Sequence, residues 1–206
     1  DQYTHGQKEE SLKILHEGIE AAIAADMYVL VDWHVMIEEN ANDYLKEATE
    51  FFDDLSKEYA NSPNIIYEVC NESKGEWSSI HDYGEQIIPV IRNNNPNAVI
   101  IVGTPTYDQD LMSAVRNPLD FENIMYTCHF YTATHGEDLR NEIKDAIERN
   151  LPVFITECGV SEASGDGEVN LKSAVTWFEF CQEYKLSYAV WSLSNKAEAS
   201  AMIKAN

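Results

Sequence analysis

Two glutamates close apolar, β-favouring runs in this 206-residue chain, and their chemistry sets the reading of the rest. Glu157 ends Val153-Phe154-Ile155-Thr156, and Glu72 ends Ile65-Ile66-Tyr67-Glu68-Val69-Cys70-Asn71. Runs of this kind are ordinarily strands buried on both faces, so a carboxylate at the end of each sits where a strand meets a loop. In parallel α/β folds that edge is where sites are built. Two carboxylates on one edge are what retaining glycoside hydrolysis needs, one to attack the anomeric carbon and one to protonate the leaving oxygen, with carboxyl groups about 5 to 5.5 Å apart. At that separation like charges oppose double ionisation, and the group kept protonated becomes the acid.

Other polar and aromatic side chains gather at the same kind of position. His34, Asn71, His129, Tyr131 and Trp191 fall at strand ends, and Trp33, Trp77 and Tyr107 lie at or just beyond them. Sugar rings stack their apolar faces on flat side chains, and Trp191, at the end of the final strand, is the leading candidate for this; Trp177, inside a helix between apolar neighbours, reads as core. Strand alternation puts Glu68 and Cys70 on the face of Glu72, Thr127 and Tyr131 on that of His129, and Val153 and Ile155 on that of Glu157. Glu68 is then a carboxylate deep in the sheet that needs a partner, expected to be a cation on a strand outside this sequence.

The elements that must position these residues alternate. Helices are expected at Lys8–Asp26, Asp43–Tyr59, Ser79–Asn93, Gln109–Val115, Glu137–Arg149 and Val169–Tyr184, and strands at Tyr28–His34, Ile65–Glu72, Ala98–Gly103, Ile124–Tyr131, Pro152–Glu157 and Leu186–Leu193. The tail from Ser194 begins what reads as one more helix. Six strands alternating with helices specify a parallel sheet, and the absence of a Gly-x-Gly-x-x-Gly or Walker loop removes the usual reason for an open nucleotide-binding sheet. A (β/α)8 TIM barrel, which gathers all strand ends round one mouth, accounts for the polar edge; with about six of its eight strands in this chain, residues 1–206 read as a single, partial barrel domain.

Composition narrows the partners. A formal net charge of -22, from 36 acidic against 14 basic residues, argues against nucleic acid or an anionic membrane surface. No apolar stretch approaches the roughly 20 residues needed to span a bilayer. Cys70, Cys128, Cys158 and Cys181 have neither disulfide-framework nor metal spacing and read as free thiols. His34, His129, His5 and His135 could be taken for zinc ligands, but His-x-His at a strand end and His-Glu-x-x-His on a helix are both missing, so neither metal nor other cofactor is expected. His16 and His81 are expected on helix surfaces.

Five segments together resemble the endoglucanases (cellulases) of glycoside hydrolase family five. They are Asp32-Trp33-His34, Tyr67-Glu68-Val69-Cys70-Asn71-Glu72, His129-Phe130-Tyr131, Phe154-Ile155-Thr156-Glu157-Cys158-Gly159 and Trp191-Ser192-Leu193-Ser194-Asn195-Lys196. The resemblance implies a retaining (β/α)8 enzyme that cuts β-1,4-glucans, with Glu72 as acid/base, Glu157 as nucleophile, and His129 and Tyr131 orienting the carboxylates. It further implies Asn71 on the sugar 2-hydroxyl, His34 on the substrate, Trp191 under a ring, and Lys196 with Asn195 on more distant hydroxyls; Trp33 and Tyr107 are added as substrate contacts by their aromatic type near strand ends, with core as the alternative for each. A mannanase, xyloglucanase or lichenase shares this layout and differs in loops such as Asp32–Asn42 and Ser161–Gly167. The resemblance also implies a secreted protein. It departs from the family in starting after the second strand, without the arginine that supports the nucleophile, and in carrying Ser73 where proline is usual and Tyr107 where tryptophan is frequent. A barrel lacking two strands would expose unpaired edges, so self-association, a complementing chain, or an inactive sugar-binding fragment are the alternatives.

Overall fold

In a computed structural model describing residues 3, 4, 6–34 and 40–205, the alternation of strand and helix runs through the chain. His5 and the loop residues 35–39 lie outside the described residues. The chain packs as two compact units, residues 1–107 with 118–125, and residues 108–117 with 126–206.

The first unit contains α1 (Lys8–Ala24), β1 (Val29–Asp32), a 3-10 turn (Ala41–Tyr44), α2 (Leu45–Glu58), β2 (Ile65–Glu68), α3 (Trp77–Asn94) and β3 (Val99–Val102). β1 pairs in parallel with β2, Asp32 opposite Glu68, and β2 with β3, Glu68 opposite Ile101. α2 and α3 turn Phe52, Leu55, Ile80, Ile87, Ile88 and Ile91 inward, all 2 % exposed or less, which is the amphipathic stripe their spacing prescribes. Arg92, in the last turn of α3, donates from Nη1 to the carbonyls of Pro96 (3.1 Å) and Ala98 (2.5 Å) and from Nη2 to that of Glu122 (2.5 Å), tying the chain before β3 to the segment leading into β4. Burial pulls its pKa down.

β3 leads into α4 (Pro105–Asp108), a single turn in which Thr106, Tyr107 and Asp108 have φ of +60°, +58° and +57°. Consecutive non-glycine residues in the left-handed region are disfavoured by about 1–2 kcal/mol each, so the surrounding structure must hold this turn.

The second unit comprises α5 (Leu111–Arg116), β4 (Ile124–Tyr131, its first two residues in the first unit), α6 (Glu137–Glu148), β5 (Val153–Gly159), α7 (Leu171–Glu183) and β6 (Tyr188–Val190). β4 pairs in parallel with β5, and β5 with β6. Trp177 is the centre of its core, as its helical context predicts: its ring stacks on Phe130 at 3.9 Å and 8°, Arg140 lies 5.0 Å over it, and its Nε1 donates to the His135 carbonyl at 3.0 Å.

One sequence expectation fails here. Residues 194–205 form bends and turns rather than a helix, because their backbone donors go elsewhere: Ser200 N to Gly165 O, Met202 N to Ser192 O, Ile203 N to Ser194 O. His16, partly exposed on α1 as expected, stacks on Tyr59 and hydrogen-bonds its hydroxyl at 2.8 Å. All four cysteines are buried free thiols, and burial pushes Cys158 up to about 12 and Cys181 to about 11. No described helix is long and apolar enough to cross a membrane.

Candidate active site

Site residues in the second unit are set by an irregularity in its sheet. Thr127 of β4 lies opposite Phe154 of β5, but His129 lies opposite Glu157, so two steps on β4 match three on β5. Such a bulge breaks alternation, allowing two successive side chains to serve the same face. Thr127, His129 and Tyr131 share one face of β4 by ordinary alternation. From β5, Thr156 Oγ1 meets His129 Nε2 at 2.9 Å and makes a short hydrogen bond with Thr127 Oγ1, while Glu157 Oε1 accepts from Tyr131 Oη at 2.5 Å. Simple alternation had put Ile155 beside Glu157; the bulge brings Thr156 there instead.

Gly159 makes the Tyr131–Glu157 contact possible. It lies opposite Tyr131, and a Cβ at this position would come 2.5 Å from Tyr131 Cε1 and 2.6 Å from Cδ1. Only a residue without a side chain lets the phenol lie across β5 and reach back to the carboxylate. The backbone N–H of Tyr131 donates to His135 Nδ1 at 2.8 Å, which fastens the end of β4. His135 Nδ1 thus serves as an acceptor within the fold.

His129 is almost fully buried, and its Nε2 lies 3.6 Å from a carboxylate oxygen of Asp108, itself 0 % exposed. Asp108 and Thr156 are site neighbours that sequence reasoning missed. Asp108 follows β3 in the left-handed turn, and Thr156 is a strand residue whose type alone says nothing; only the two turns of geometry just described bring them in.

Trp191 is half-buried just after β6, with its backbone N–H donating to the Cys158 carbonyl at 2.8 Å and a cis peptide bond to Ser192. Lys196 Nζ stands 5.5 Å from the centre of its ring and 3.8 Å from Glu198 Oε1, while Asn195 is exposed. The tail bearing these residues is pinned to the loop that follows β5, through Ala199 N to Asp166 Oδ1 (3.1 Å) and Ser200 N to Gly165 O (2.9 Å).

The first unit holds the other candidates. Glu72 is half-buried with φ of +29°, a strained value for a non-glycine residue of the kind that collects at functional positions. Asn71 is 2 % exposed and lines a small cavity with Trp33, Asn40, Tyr44, Cys70, Ser73 and Tyr83; its Nδ2 is buried without a protein acceptor among the described residues. His34 Nδ1 bonds Asp32 Oδ2 at 2.6 Å. Tyr107 is 46 % exposed, with Lys74 Nζ 5.9 Å from its ring centre. Trp33 differs from the expectation of an open stacking surface: it is 6 % exposed, with Tyr3 and Phe51 against its ring at 5.2 and 5.1 Å. Trp77 is likewise buried, as the first residue of α3. Glu68 is buried at 2 % exposure, as alternation requires.

The chain as a whole matches known proteins. Residues 1–197 match the family described as Cellulase (glycosyl hydrolase family 5). The chain belongs to that family. It is 45 % identical over 204 residues to endoglucanase A of Butyrivibrio fibrisolvens, covering 97 % of this chain and 47 % of that protein. With endoglucanase A of Evansella cellulosilytica the identity is 47 % over 191 residues, 91 % of this chain and 39 % of the other. Among solved structures, "Cellulase Cel5C_n" superposes with a TM-score of 0.96 at 36 % identity, covering 98 % of this chain and 65 % of that one. The catalytic domain of Thermobifida fusca endoglucanase Cel5A, in complex with cellotetraose, gives 0.94 at 32 % identity over 98 % of this chain and 68 % of that one. The fold is therefore that of a partial (β/α)8 barrel, and the chain spans about half the length of the curated relatives it matches.

Proposed function

We propose that this chain belongs to a retaining endo-β-1,4-glucanase, with Glu157 as nucleophile and Glu72 as acid/base. The observation that carries the reading is the 2.5 Å hydrogen bond from Tyr131 Oη to Glu157 Oε1, at the end of a strand in a glycosyl hydrolase family 5 chain. A phenol donating to the carboxylate favours its charged form and fixes its orientation, which is what a nucleophile requires.

In the first step the other oxygen of Glu157 attacks the anomeric carbon. The bond to the leaving glycosidic oxygen breaks as Glu72 gives that oxygen its proton, and a glycosyl ester of Glu157 remains. In the second step Glu72, now a carboxylate, takes a proton from water, which displaces Glu157 at the same carbon and restores both groups. Asn71, whose buried amide nitrogen has no protein acceptor among the described residues, is suited to donate to a sugar hydroxyl. Trp191 offers a ring for stacking, with Lys196, Asn195, His34 and Tyr107 as polar or aromatic contacts further out. No step calls for a metal or cofactor. The Thermobifida relative's complex with cellotetraose supports a β-glucan as the substrate class, and we place the protein outside the cell, where such polymers are.

A second reading, in which this chain turns over no substrate until it self-associates or is complemented by another chain, is favoured by an exposed edge of the second unit. Tyr188 and Val190 of β6 are 47 % and 37 % exposed, and Leu171 and Val175 of α7 are 67 % and 58 % exposed. An apolar strand edge and helix face of this kind is what such an association would bury. Activity on soluble cellulose, mannan and mixed-linkage glucan separates these readings: the endoglucanase reading expects cleavage of soluble cellulose, and inactivity on all three contradicts it.

A further inference from the structure

The hydroxyl of Thr156 occupies a position that the catalytic scheme does not use. It reaches the face of Glu157 only because of the bulge between β4 and β5, and it touches both Thr127 Oγ1 and His129 Nε2. We propose that Thr156 is a positioning residue that sets the tautomer and orientation of His129 and, through its place in the bulge, the register of its neighbour Glu157.

The proton positions follow from the surroundings. Asp108 has only acceptors when ionised, and its carboxylate lies 3.6 Å from His129 Nε2, so a bare lone pair on that nitrogen would face negative charge. Nε2 therefore carries the proton and donates it to Thr156 Oγ1 at 2.9 Å. A threonine hydroxyl that accepts one hydrogen bond still has its own proton to give, and Thr127 Oγ1 is the acceptor beside it. The chain of donors runs from His129 through Thr156 to Thr127 and fixes neutral His129 as the Nε2–H form. The same contacts join three residues of the site, Thr127 and His129 of β4 and Thr156 of β5, across the point where the two strands lose step. A residue with no hydroxyl could fill the space but could not span the slip.

Histidine-selective 15N NMR on this chain, with Thr156→Val and Thr156→Ser variants, tests the assignment. Valine keeps the shape and strand preference of threonine; serine keeps the hydroxyl. The wild type and Thr156→Ser are expected to show neutral His129 as the Nε2–H tautomer, and Thr156→Val is expected to shift it toward Nδ1–H or a mixture. A neutral Nδ1–H form in the wild type, or an unchanged tautomer in the valine variant, overturns the proposal, as does a serine variant that behaves like valine. If the valine variant does not fold, the wild type and serine variants still decide by the same criterion. The link to Glu157 rests on the retaining reading above and has its own readout: trapping by a 2-deoxy-2-fluoro cellobioside should slow about tenfold in Thr156→Val and about two- to threefold in Thr156→Ser, a tenfold change being the size of one lost hydrogen bond to a charged or polar partner. A wild type that is not trapped at all contradicts the retaining reading and leaves the tautomer measurement to judge Thr156.

Discussion

Replacing Gly159 with alanine should separate the Tyr131–Glu157 hydrogen bond from everything else in the fold. The new Cβ would fall 2.5 Å from Tyr131 Cε1, whereas carbon atoms rest at about 3.5 to 4 Å. The ring must therefore retreat by about 1 Å. A retreat of that size along the phenol stretches the 2.5 Å bond to Glu157 to about 3.5 Å, beyond useful hydrogen bonding. Gly159 has no positive φ that alanine would strain, so the cost in the folded state is steric: about 1–3 kcal/mol for overpacking, less the roughly 0.4–1 kcal/mol gained by stiffening the unfolded chain. Net destabilisation is about 0–2.6 kcal/mol. The lost bond, to a charged acceptor, is worth about 1.5–3 kcal/mol, or about 10- to 150-fold in the rate of Glu157 trapping by the fluoro cellobioside. Tyr131→Phe, which removes the hydroxyl but not the packing, should match the rate loss with a smaller stability loss. Urea melts supply the stability, and mass spectrometry of the trapped peptide supplies the rate. A Gly159→Ala protein that traps as fast as wild type, with Tyr131 still bonded to Glu157 in a crystal structure, would refute the reasoning.

Two further outcomes are expected. Arg92→Lys should lower the unfolding free energy by about 1–2 kcal/mol in urea titrations, because an ammonium cannot span the carbonyls of Ala98, Pro96 and Glu122 that the guanidinium reaches together; equal stability would show the clamp to be unimportant. Glu142 is held above its ordinary value of 4.5 by burial, the N–H of Met112 opposing. The folded chain then binds a proton more tightly than the unfolded one, so this group's contribution is greatest below pH 4.5 and declines as pH rises through the raised folded value. Glu142→Gln should remove that decline and raise Tm at pH 7, and an unchanged pH profile of Tm would count against it.

Much of this was legible in the sequence because apolar runs of strand length are strong signals. Ile124–Tyr131 is bounded as the run suggests, and Glu137–Glu148 within a residue, since α6 begins just after Gly136 and ends near Asn150. β6 proved shorter than its apolar run, Tyr188–Val190 rather than Leu186–Leu193, because hydrophobicity marks a strand but not how far a neighbour pairs with it. The family resemblance of the candidate site could be read from residues near strand ends. What could not be read was which of them face inward. The bulge that brings Thr156 beside Glu157 depends on the partner strand, and a one-residue slip in register leaves no mark in composition. Asp108 reaches His129 from a left-handed turn written in residues without a strong preference for it. Trp33 shows the converse: position at a strand end suggested a binding face, but the rings of Tyr3 and Phe51 claim it for the core.

The account turns on Glu157 as a nucleophile, and the most direct test is covalent. Incubation of this chain with a 2-deoxy-2-fluoro cellobioside bearing a good leaving group, followed by peptide mass spectrometry, should find one fluoroglycosyl group on the peptide holding Glu157 and none in Glu157→Gln. Labelling elsewhere, or no labelling of a chain that circular dichroism shows to be folded, would contradict it.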